Sequence, residues 1–93
     1  MAQVLRIHPD DNVAMALSDL PVGEPLTLED ADAGGLATRE AIPFGHKIAL
    51  RCIRAGEPVI KYGASIGLAT VDIAAGQHVH VHNLRSVRGS VQQ

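Results

Sequence analysis

Aromatic side chains are nearly absent from this sequence of 93 residues, which contains one Phe, one Tyr and no Trp. Proteins that bind single-stranded nucleic acids stack bases on aromatic faces, and this chain offers almost none. Positive charge is sparse too, because eight Lys and Arg face ten Asp and Glu, for a formal net charge of −2. With no basic stripe and no stacking platform, the sequence argues against a nucleic-acid partner.

Cysteines and long apolar runs are equally scarce. Cys52 is the single cysteine, so an internal disulfide is excluded, and its apolar neighbours predict an inert buried thiol. The N-terminus lacks the charged start and apolar run of a signal peptide, and no stretch approaches the ~20 apolar residues of a membrane span. We therefore expect a cytoplasmic protein with no membrane partner.

Common catalytic motifs are also missing. The sequence contains no G-x-S-x-G motif, no phosphate-binding loop, no Cys-His metal knuckle and no H-E-x-x-H motif.

The length suits one domain over residues 1–93, of which we expect about 1–85 to be ordered and 86–93 to form a tail. What the chain does contain is a core composition of Ala, Val, Ile and Leu, at 46% hydrophobic residues in total.

One pattern recurs four times: an apolar residue, two further residues, Gly, two further residues and a second apolar residue. It occupies residues 20–26, 42–48, 53–59 and 73–79, with glycines at 23, 45, 56 and 76. Gly adopts positive φ without steric cost, so a fixed Gly between two apolar arms predicts a tight turn between strands. Four such turns indicate an all-β domain of short strands, of the barrel or clip type.

The intervening segments fit short strands. Apolar alternation predicts strands over residues 13–17, 46–53, 59–62 and 78–83, and the β-branched segment 66–73 is predicted to be central. Ile48 and Leu50 should face opposite to Ala49. A short helix over residues 11–20, capped by Asp10 or Asp11, is the competing prediction. The polar segment 29–35 is predicted to be a loop.

The most unusual feature is the run His78-Val-His80-Val-His82-Asn83. On a strand these imidazoles would share one face and span about 13 Å at ~3.3 Å per residue, so at most two could bind one metal ion. His78 and His80 are the candidate ligands, with a third from His46 or His8. A solvated strand face and polar contacts to a substrate or interface are the alternatives.

Two basic turns add candidate binding residues. His46 and Lys47 follow Gly45, and on a strand their side chains would point to opposite faces. Lys61 and Tyr62 end another strand, where an ammonium group and a phenol could hold a carboxylate. Solvated surface residues are the alternative in both places.

These segments together resemble the SAF domain of altronate and galactarate dehydratases, and the alpha subunit of sulfolactate sulfo-lyase. The resemblance lies in I-H-P-D-D-N-V-A-M-A-L (7–17), I-P-F-G-H-K-I-A-L (42–50), G-E-P-V-I-K-Y-G-A-S-I-G-L-A-T (56–70) and D-I-A-A-G-Q-H-V-H-V-H-N (72–83). It implies an SAF-type β-clip fold. Because a larger catalytic portion follows this domain in the fused dehydratases, it also implies a separate large catalytic subunit as partner.

The activity implied is β-elimination from a sugar acid. This chain would be the small subunit of a hydro-lyase of the altronate or galactarate type, or the alpha subunit of a sulfolactate sulfo-lyase. A non-catalytic structural or sugar-acid-binding module and a homo-oligomer remain open. The resemblance implies a divalent metal, iron or similar, held mainly by the large subunit. It suggests catalytic roles for His46, His80 and His82, and substrate binding by Lys47, Lys61, Tyr62 and Asn83.

Overall fold

The computed structural model describes residues 2–28 and 35–86, and this part of the chain forms eight short strands without any helix. The strands are β1 (Ala2–Leu5), β2 (Val13–Ala16), β3 (Leu26–Leu28), β4 (Lys47–Ala49), β5 (Pro58–Lys61), β6 (Ala64–Ala69), β7 (His78–Val79) and β8 (Leu84–Arg85). The all-β prediction is confirmed. The alternative helix over residues 11–20 is wrong, because β2 occupies its centre and pairs on both edges, with β1 and β4.

The strands form two sheets. The first has the order β3-β1-β2-β4-β7, in which β1 and β3 are parallel and the other neighbours antiparallel. The second has the order β5-β6-β8, so β6 is central there, as the sequence predicted for segment 66–73. Most of the predicted loop 29–35 and the tail beyond residue 86 lie outside the described residues.

The four predicted glycine turns are present, and they account for most of the core. Their glycines have φ values of 81°, 82°, 86° and 90°, all in the left-handed region. All eight apolar positions of the repeated pattern are buried: Leu20, Leu26, Ile42, Ile48, Ile53, Val59, Ile73 and Val79. The first two repeats contribute to one hydrophobic cluster and the last two to another.

The repeats pair in the same way in both halves of the domain. Leu20 and Ile42 exchange two backbone hydrogen bonds of 2.8 and 2.9 Å, and Ile53 and Ile73 exchange two of 2.8 and 2.7 Å. These isolated antiparallel bridges hold each turn against a second turn. Each half is therefore a pair of turns closed by a buried apolar bridge.

An aspartate repeats this symmetry at the surface. The Asp19 carboxylate accepts a hydrogen bond from Phe44 N–H, and the Asp72 carboxylate accepts one from Ala55 N–H, each at 2.8 Å. Asp19 immediately precedes the bridge residue Leu20, and Asp72 immediately precedes the bridge residue Ile73. Each carboxylate bonds to the residue just before Gly in the opposing turn. Exposed turn N–H groups thereby gain a charged acceptor.

Strand β4 is shorter than the predicted strand 46–53. Ile48 and Leu50 do pack on one cluster and Ala49 on the other, as predicted. The prediction of a buried Cys52 is wrong, because the thiol-bearing residue is exposed. Its neighbour Ile53 occupies the core, and backbone alternation directs Cys52 to solvent.

Two buried polar residues join the sheets. The Asp11 carboxylate accepts hydrogen bonds from the N–H groups of His8, Tyr62 and Gly63 at 2.8–3.1 Å. The Asn12 amide donates to Pro58 O at 3.0 Å and accepts from Ile60 N–H at 2.7 Å. These side chains fix the β5–β6 hairpin against the start of β2.

Gly56→Ala and Gly76→Ala form a matched pair that separates backbone strain from steric clash. Both glycines have left-handed φ, so each change costs about 1–2 kcal/mol in conformational strain. A Cβ at Gly76 would lie 2.2 Å from Ala37 O, whereas a Cβ at Gly56 meets nothing within 4 Å. We expect Gly76→Ala to lose a further ~1–3 kcal/mol in urea unfolding. Equal losses would contradict the packing described.

Asp11→Ala should destabilise the domain far more than Asp10→Ala. Removal of the Asp11 carboxylate leaves three backbone donors without their acceptor, and hydrogen bonds to charged groups contribute about 1.5–3 kcal/mol each. The exposed Asp10 side chain makes only a 3.9 Å contact with His8. Urea unfolding should show a loss of at least ~2 kcal/mol for Asp11→Ala and under ~0.5 kcal/mol for the control. Similar losses for both would rule out the role assigned to Asp11.

Candidate functional site

The chain reverses direction immediately after β7, and a buried amide holds this reversal. Asn83 Oδ1 accepts a hydrogen bond from His80 N–H at 2.9 Å, and Asn83 Nδ2 donates one to His78 O at 2.8 Å. Asn83 N–H also donates to His80 O at 3.1 Å. The predicted strand over residues 78–83 is therefore wrong, because a turn begins after Val79. The oxygen and the nitrogen of the Asn83 side-chain amide therefore both hydrogen-bond within this turn.

The reversal gathers four imidazoles into one group. The His46 and His80 rings stack with centroids 4.1 Å apart, and His46 and His78 stack at 5.0 Å. The His78 ring also lies 5.4 Å from His80 and 5.2 Å from His82. The extended 13 Å row expected from the sequence is wrong, since the turn brings His80 back over His46. We call His46, His78, His80 and His82 the histidine cluster.

Three members of the histidine cluster offer nitrogen atoms to a common point. One ring nitrogen each from His46, His78 and His80 lies within 4.8 Å of the other two. His46 Nδ1 and His78 Nε2 are 2.8 Å apart and share a hydrogen bond. Two members of this trio come from the run over residues 78–82 and the third is His46, so the expected limit of two ligands from that run still holds. All three residues are half-buried.

The direction of the His46 side chain follows from its own turn. In the third turn the Glu57 carboxylate accepts from Arg54 N–H at 2.8 Å, and in the fourth the Gln77 amide accepts from Ala74 N–H at 2.6 Å. His46 occupies the same position after Gly, but its turn has Pro43 where the donor would be. Proline has no N–H, so His46 hydrogen-bonds to the fourth turn's histidine instead.

His8, the other candidate third ligand, lies elsewhere. Its ring packs against Gly63, where an added Cβ would approach the ring to 2.9 Å. Its Nδ1 accepts a hydrogen bond from Asp10 N–H at 3.1 Å. His8 thus supports the hairpin tip and is no part of the histidine cluster.

The basic candidates lie beside the histidine cluster. Burial lowers the pKa of the Lys47 ammonium, and the positive charge of Lys61 lowers it further. Lys61 Nζ lies 5.0 Å from the centre of the Tyr62 ring, a cation–π arrangement. His46 lies just before β4, so strand alternation does not separate it from Lys47, and both act electrostatically on His80. We call the histidine cluster, Lys47, Lys61 and Tyr62 the His–Lys surface.

The imidazoles of His78 and His80 are biased toward their neutral forms. Burial lowers the pKa of His78, His46, His82 and His80 lower it further, and Glu40 raises it. Burial likewise lowers the pKa of His80, with added contributions from the neighbouring His46, Lys47 and His82. Groups with a folded pKa below the unfolded value of about 6.5 bind fewer protons when folded. The domain therefore loses stability as the pH falls below about 6.5.

Sequence reasoning missed Glu40. Its carboxylate accepts a hydrogen bond from His78 N–H at 3.0 Å and places a negative charge beside the histidine cluster. Glu40 lies 38 residues from His78, and no motif in the sequence connects the two. The two residues meet only in the folded chain, where the segment just before the second turn lies against the fourth turn.

The two histidine pKa values should respond to different neighbours. Lys47→Met removes a positive charge that acts on His80, so it should raise the His80 pKa and leave His78 nearly unchanged. Glu40→Gln removes the charge that raises the His78 pKa, so it should lower that value and leave His80 nearly unchanged. Titration of the imidazole resonances by NMR, with a chelator present, measures both. Identical shifts of the two residues in either variant would refute this arrangement of charges.

Comparison with known proteins identifies relatives over nearly the whole chain. The sequence profile of the altronate/galactarate dehydratase SAF domain matches residues 2–87. Altronate dehydratase of Escherichia coli is 44% identical over 91 residues, and that of Bacillus subtilis is 39% identical over 92. These matches cover 98% and 99% of this chain but 18% of each dehydratase.

A second type of relative is itself small. The (2R)-sulfolactate sulfo-lyase subunit alpha of Paracoccus pantotrophus is 45% identical over 53 residues, which cover 57% of this chain and 79% of that subunit.

The described residues contain no helix long and apolar enough to cross a membrane. From the profile match and the two dehydratases, the chain belongs to the altronate/galactarate dehydratase SAF domain family.

Proposed function

We propose that this chain is the SAF component of a sugar-acid dehydratase and that it acts with a separate, larger catalytic subunit. The chain spans about a fifth of the altronate dehydratases it matches, so most of each such enzyme lies outside this domain. Relatives called subunit alpha support the arrangement on separate chains, because the word implies a second subunit. A cytoplasmic location belongs to the same proposal.

The observation that carries this proposal is the His–Lys surface itself. Imidazoles and ammonium groups lie close enough to interact electrostatically, with Glu40 as the carboxylate that acts on His78. Large apolar side chains adjoin this surface: Phe44, Tyr62 and Val81 are 65%, 63% and 81% exposed. Apolar and aromatic side chains beside polar groups are typical of the centre of a protein–protein interface. The surface therefore suits an anionic substrate held between this domain and a partner.

The reaction proposed is β-elimination. The bond between hydrogen and the carbon next to the carboxylate breaks, and a base takes the proton. The electron pair left on carbon forms a double bond to the next carbon, whose hydroxyl leaves as water after protonation by an acid. The resulting enol acid becomes the α-oxo acid. Such chemistry requires a base, an acid and stabilisation of the charge on the carboxylate.

This chain would supply part of these requirements. The Lys47 and Lys61 ammonium groups would bind the substrate carboxylate, and Tyr62 would donate a hydrogen bond to it. His46, His80 and His82 would hydrogen-bond to substrate hydroxyls, with Asn83 positioning His80 through its backbone. A divalent metal, iron or similar, would add electrophilic stabilisation of the carboxylate when bound. In this proposal its main ligands lie on the large subunit.

Loss of sulfite from sulfolactate is the second candidate, supported by the 79% coverage of a sulfo-lyase alpha subunit. Sulfite leaves as a stable anion and needs no proton from an acid, whereas hydroxide does. The altronate type is favoured here because its matches extend over 98% and 99% of this chain.

The proposal predicts a separate dehydratase-like large chain in the same organism, and reconstitution with that chain is the test. The large chain alone, this chain alone and the mixture are assayed with altronate, galactarate and sulfolactate, and the α-oxo product is measured. We expect the mixture to exceed both single chains by at least about 100-fold in rate. Full activity of the large chain alone would reduce this domain to a non-catalytic module, and activity of this chain alone would refute the two-subunit proposal.

Variants then test the surface within the reconstituted enzyme. Lys61→Met should raise the KM for the acid substrate about 10-fold or more, because a charged contact to a carboxylate is lost. Arg54→Ala is the control, since this exposed basic side chain lies 4.0 Å from the Asp72 carboxylate and not at the His–Lys surface. Equal effects of both variants would show that the carboxylate is bound elsewhere.

A further inference from the structure

We infer that His46, His78 and His80 form a binding site on this chain for one divalent transition-metal ion of the zinc and iron class. The inference stands on the geometry of the cluster and does not depend on the proposed function; with an ion bound, the ion would replace the direct contacts of His46 and His80 to substrate hydroxyls. It assigns to this domain a metal ion of its own, independent of any that a catalytic subunit holds.

The spacing of the nitrogens carries the first step. A transition metal binds imidazole nitrogen at about 2.0–2.1 Å, which puts two ligands of a tetrahedral site about 3.4 Å apart. Three ring nitrogens that already lie within 4.8 Å of one another reach this separation by small rotations of the rings. The 2.8 Å contact between His46 Nδ1 and His78 Nε2 shows that two rings already direct nitrogens at each other. A metal ion would take the place of the proton that they share.

A neighbouring carboxylate carries the second step. Glu40, whose carboxylate accepts a hydrogen bond from His78 N–H at 3.0 Å, supplies a negative charge near the ion. Lys47, next to His46 in the sequence, opposes a cation electrostatically.

The backbone carries the third step, because all three ligands are fixed by the fold. His78 lies on β7 and pairs with Ile48 of β4. His80 is held by the Asn83 amide, and His46 by the turn that ends at β4. Residues that position metal ligands in this way strengthen binding, since less ordering accompanies the arrival of the ion.

The donor set determines the class of ion. Three neutral imidazoles suit zinc, iron, cobalt or nickel, whereas magnesium and calcium require oxygen ligands. The half-buried rings leave one side open, so an ion held by three nitrogens keeps coordination positions for water or for substrate oxygens. His82, whose ring lies beside His78, is then the one member of the cluster with both nitrogens uncommitted to the ion.

The experiment uses the 93-residue chain without an affinity tag, after removal of metals by a chelator. Titration with Co²⁺ should produce the visible absorption of a nitrogen-ligated ion, and calorimetry with Zn²⁺ should give one site per chain with micromolar or tighter affinity. Mg²⁺ should give neither signal. Absence of saturable Co²⁺ and Zn²⁺ binding at neutral pH would overturn the inference.

Matched histidine variants locate the site. His46→Ala and His80→Ala should each weaken Zn²⁺ binding about 100-fold or more, since even residues that only support ligands contribute 10–100-fold. His8→Ala, which removes a histidine outside the cluster, should leave the affinity within about twofold. Equal losses in all three variants would mean scattered surface binding and would overturn the assignment.

A measurement on the unaltered chain guards against misfolded variants. X-ray absorption of the Zn²⁺-loaded protein should show three imidazole nitrogens bound to the metal. A site with one imidazole, or with two, would contradict the three-ligand geometry. Retained β-sheet circular dichroism in each variant confirms that weaker binding reflects the missing ligand.

Discussion

The hydrogen bonds of one buried amide determine whether this domain has a functional face at all. The Asn83 side chain bonds to the backbone of His78 and of His80, and this turns the chain back on itself directly after Val79. Had the strand continued, alternation would have placed the imidazoles in a solvated row far from the glycine turn of His46. With the reversal, side chains from two turns meet. The catalytic and metal-binding proposals both depend on this local geometry.

The charges around this face are poorly balanced within the domain itself. Four imidazoles and two ammonium groups lie together, and burial, followed by the interactions among these groups, lowers the pKa values of Lys47, His78 and His80. Such clusters of mutually repelling groups reduce folding stability, and they are frequent at functional sites. A bound anion or a subunit with complementary charge would relieve part of the repulsion. The isolated domain therefore leaves part of the positive charge on this face without a compensating negative charge.

Much of the fold could be predicted from the repeated glycine pattern. The eight apolar positions flanking Gly23, Gly45, Gly56 and Gly76 are all buried, because each turn must direct both of its arms inward. The pairing of the turns could not be predicted, since the bridge between Leu20 and Ile42 depends on contacts between distant residues. The same physical limit applies to Glu40, whose partner His78 lies far away in sequence.

Apolar periodicity predicts the wrong structure where hydrogen bonds of a side chain outweigh the preference of the segment for a strand. Residues 78–83 alternate strictly between polar and apolar, yet the Asn83 amide supplies hydrogen bonds that make a turn more favourable than a strand. Cys52 was predicted to be buried from its apolar neighbours, but Ile53 already fills the available core space. The partial exposure of His46, Lys47 and Lys61 could be predicted, because glycine turns and strand ends mark where polar side chains reach solvent.

The proline of the second turn has a consequence for how such a domain acquires chemistry. Four similar turns offer four equivalent positions after glycine, and in two of them the side chain is tied to its own backbone. The other two turns have Pro21 and Pro43 at the donor position, and proline has no N–H for such a bond. A side chain after Gly in these turns can therefore point away from its own backbone without loss of that hydrogen bond. In the second turn this side chain is the His46 imidazole, which contacts His78 of the fourth turn.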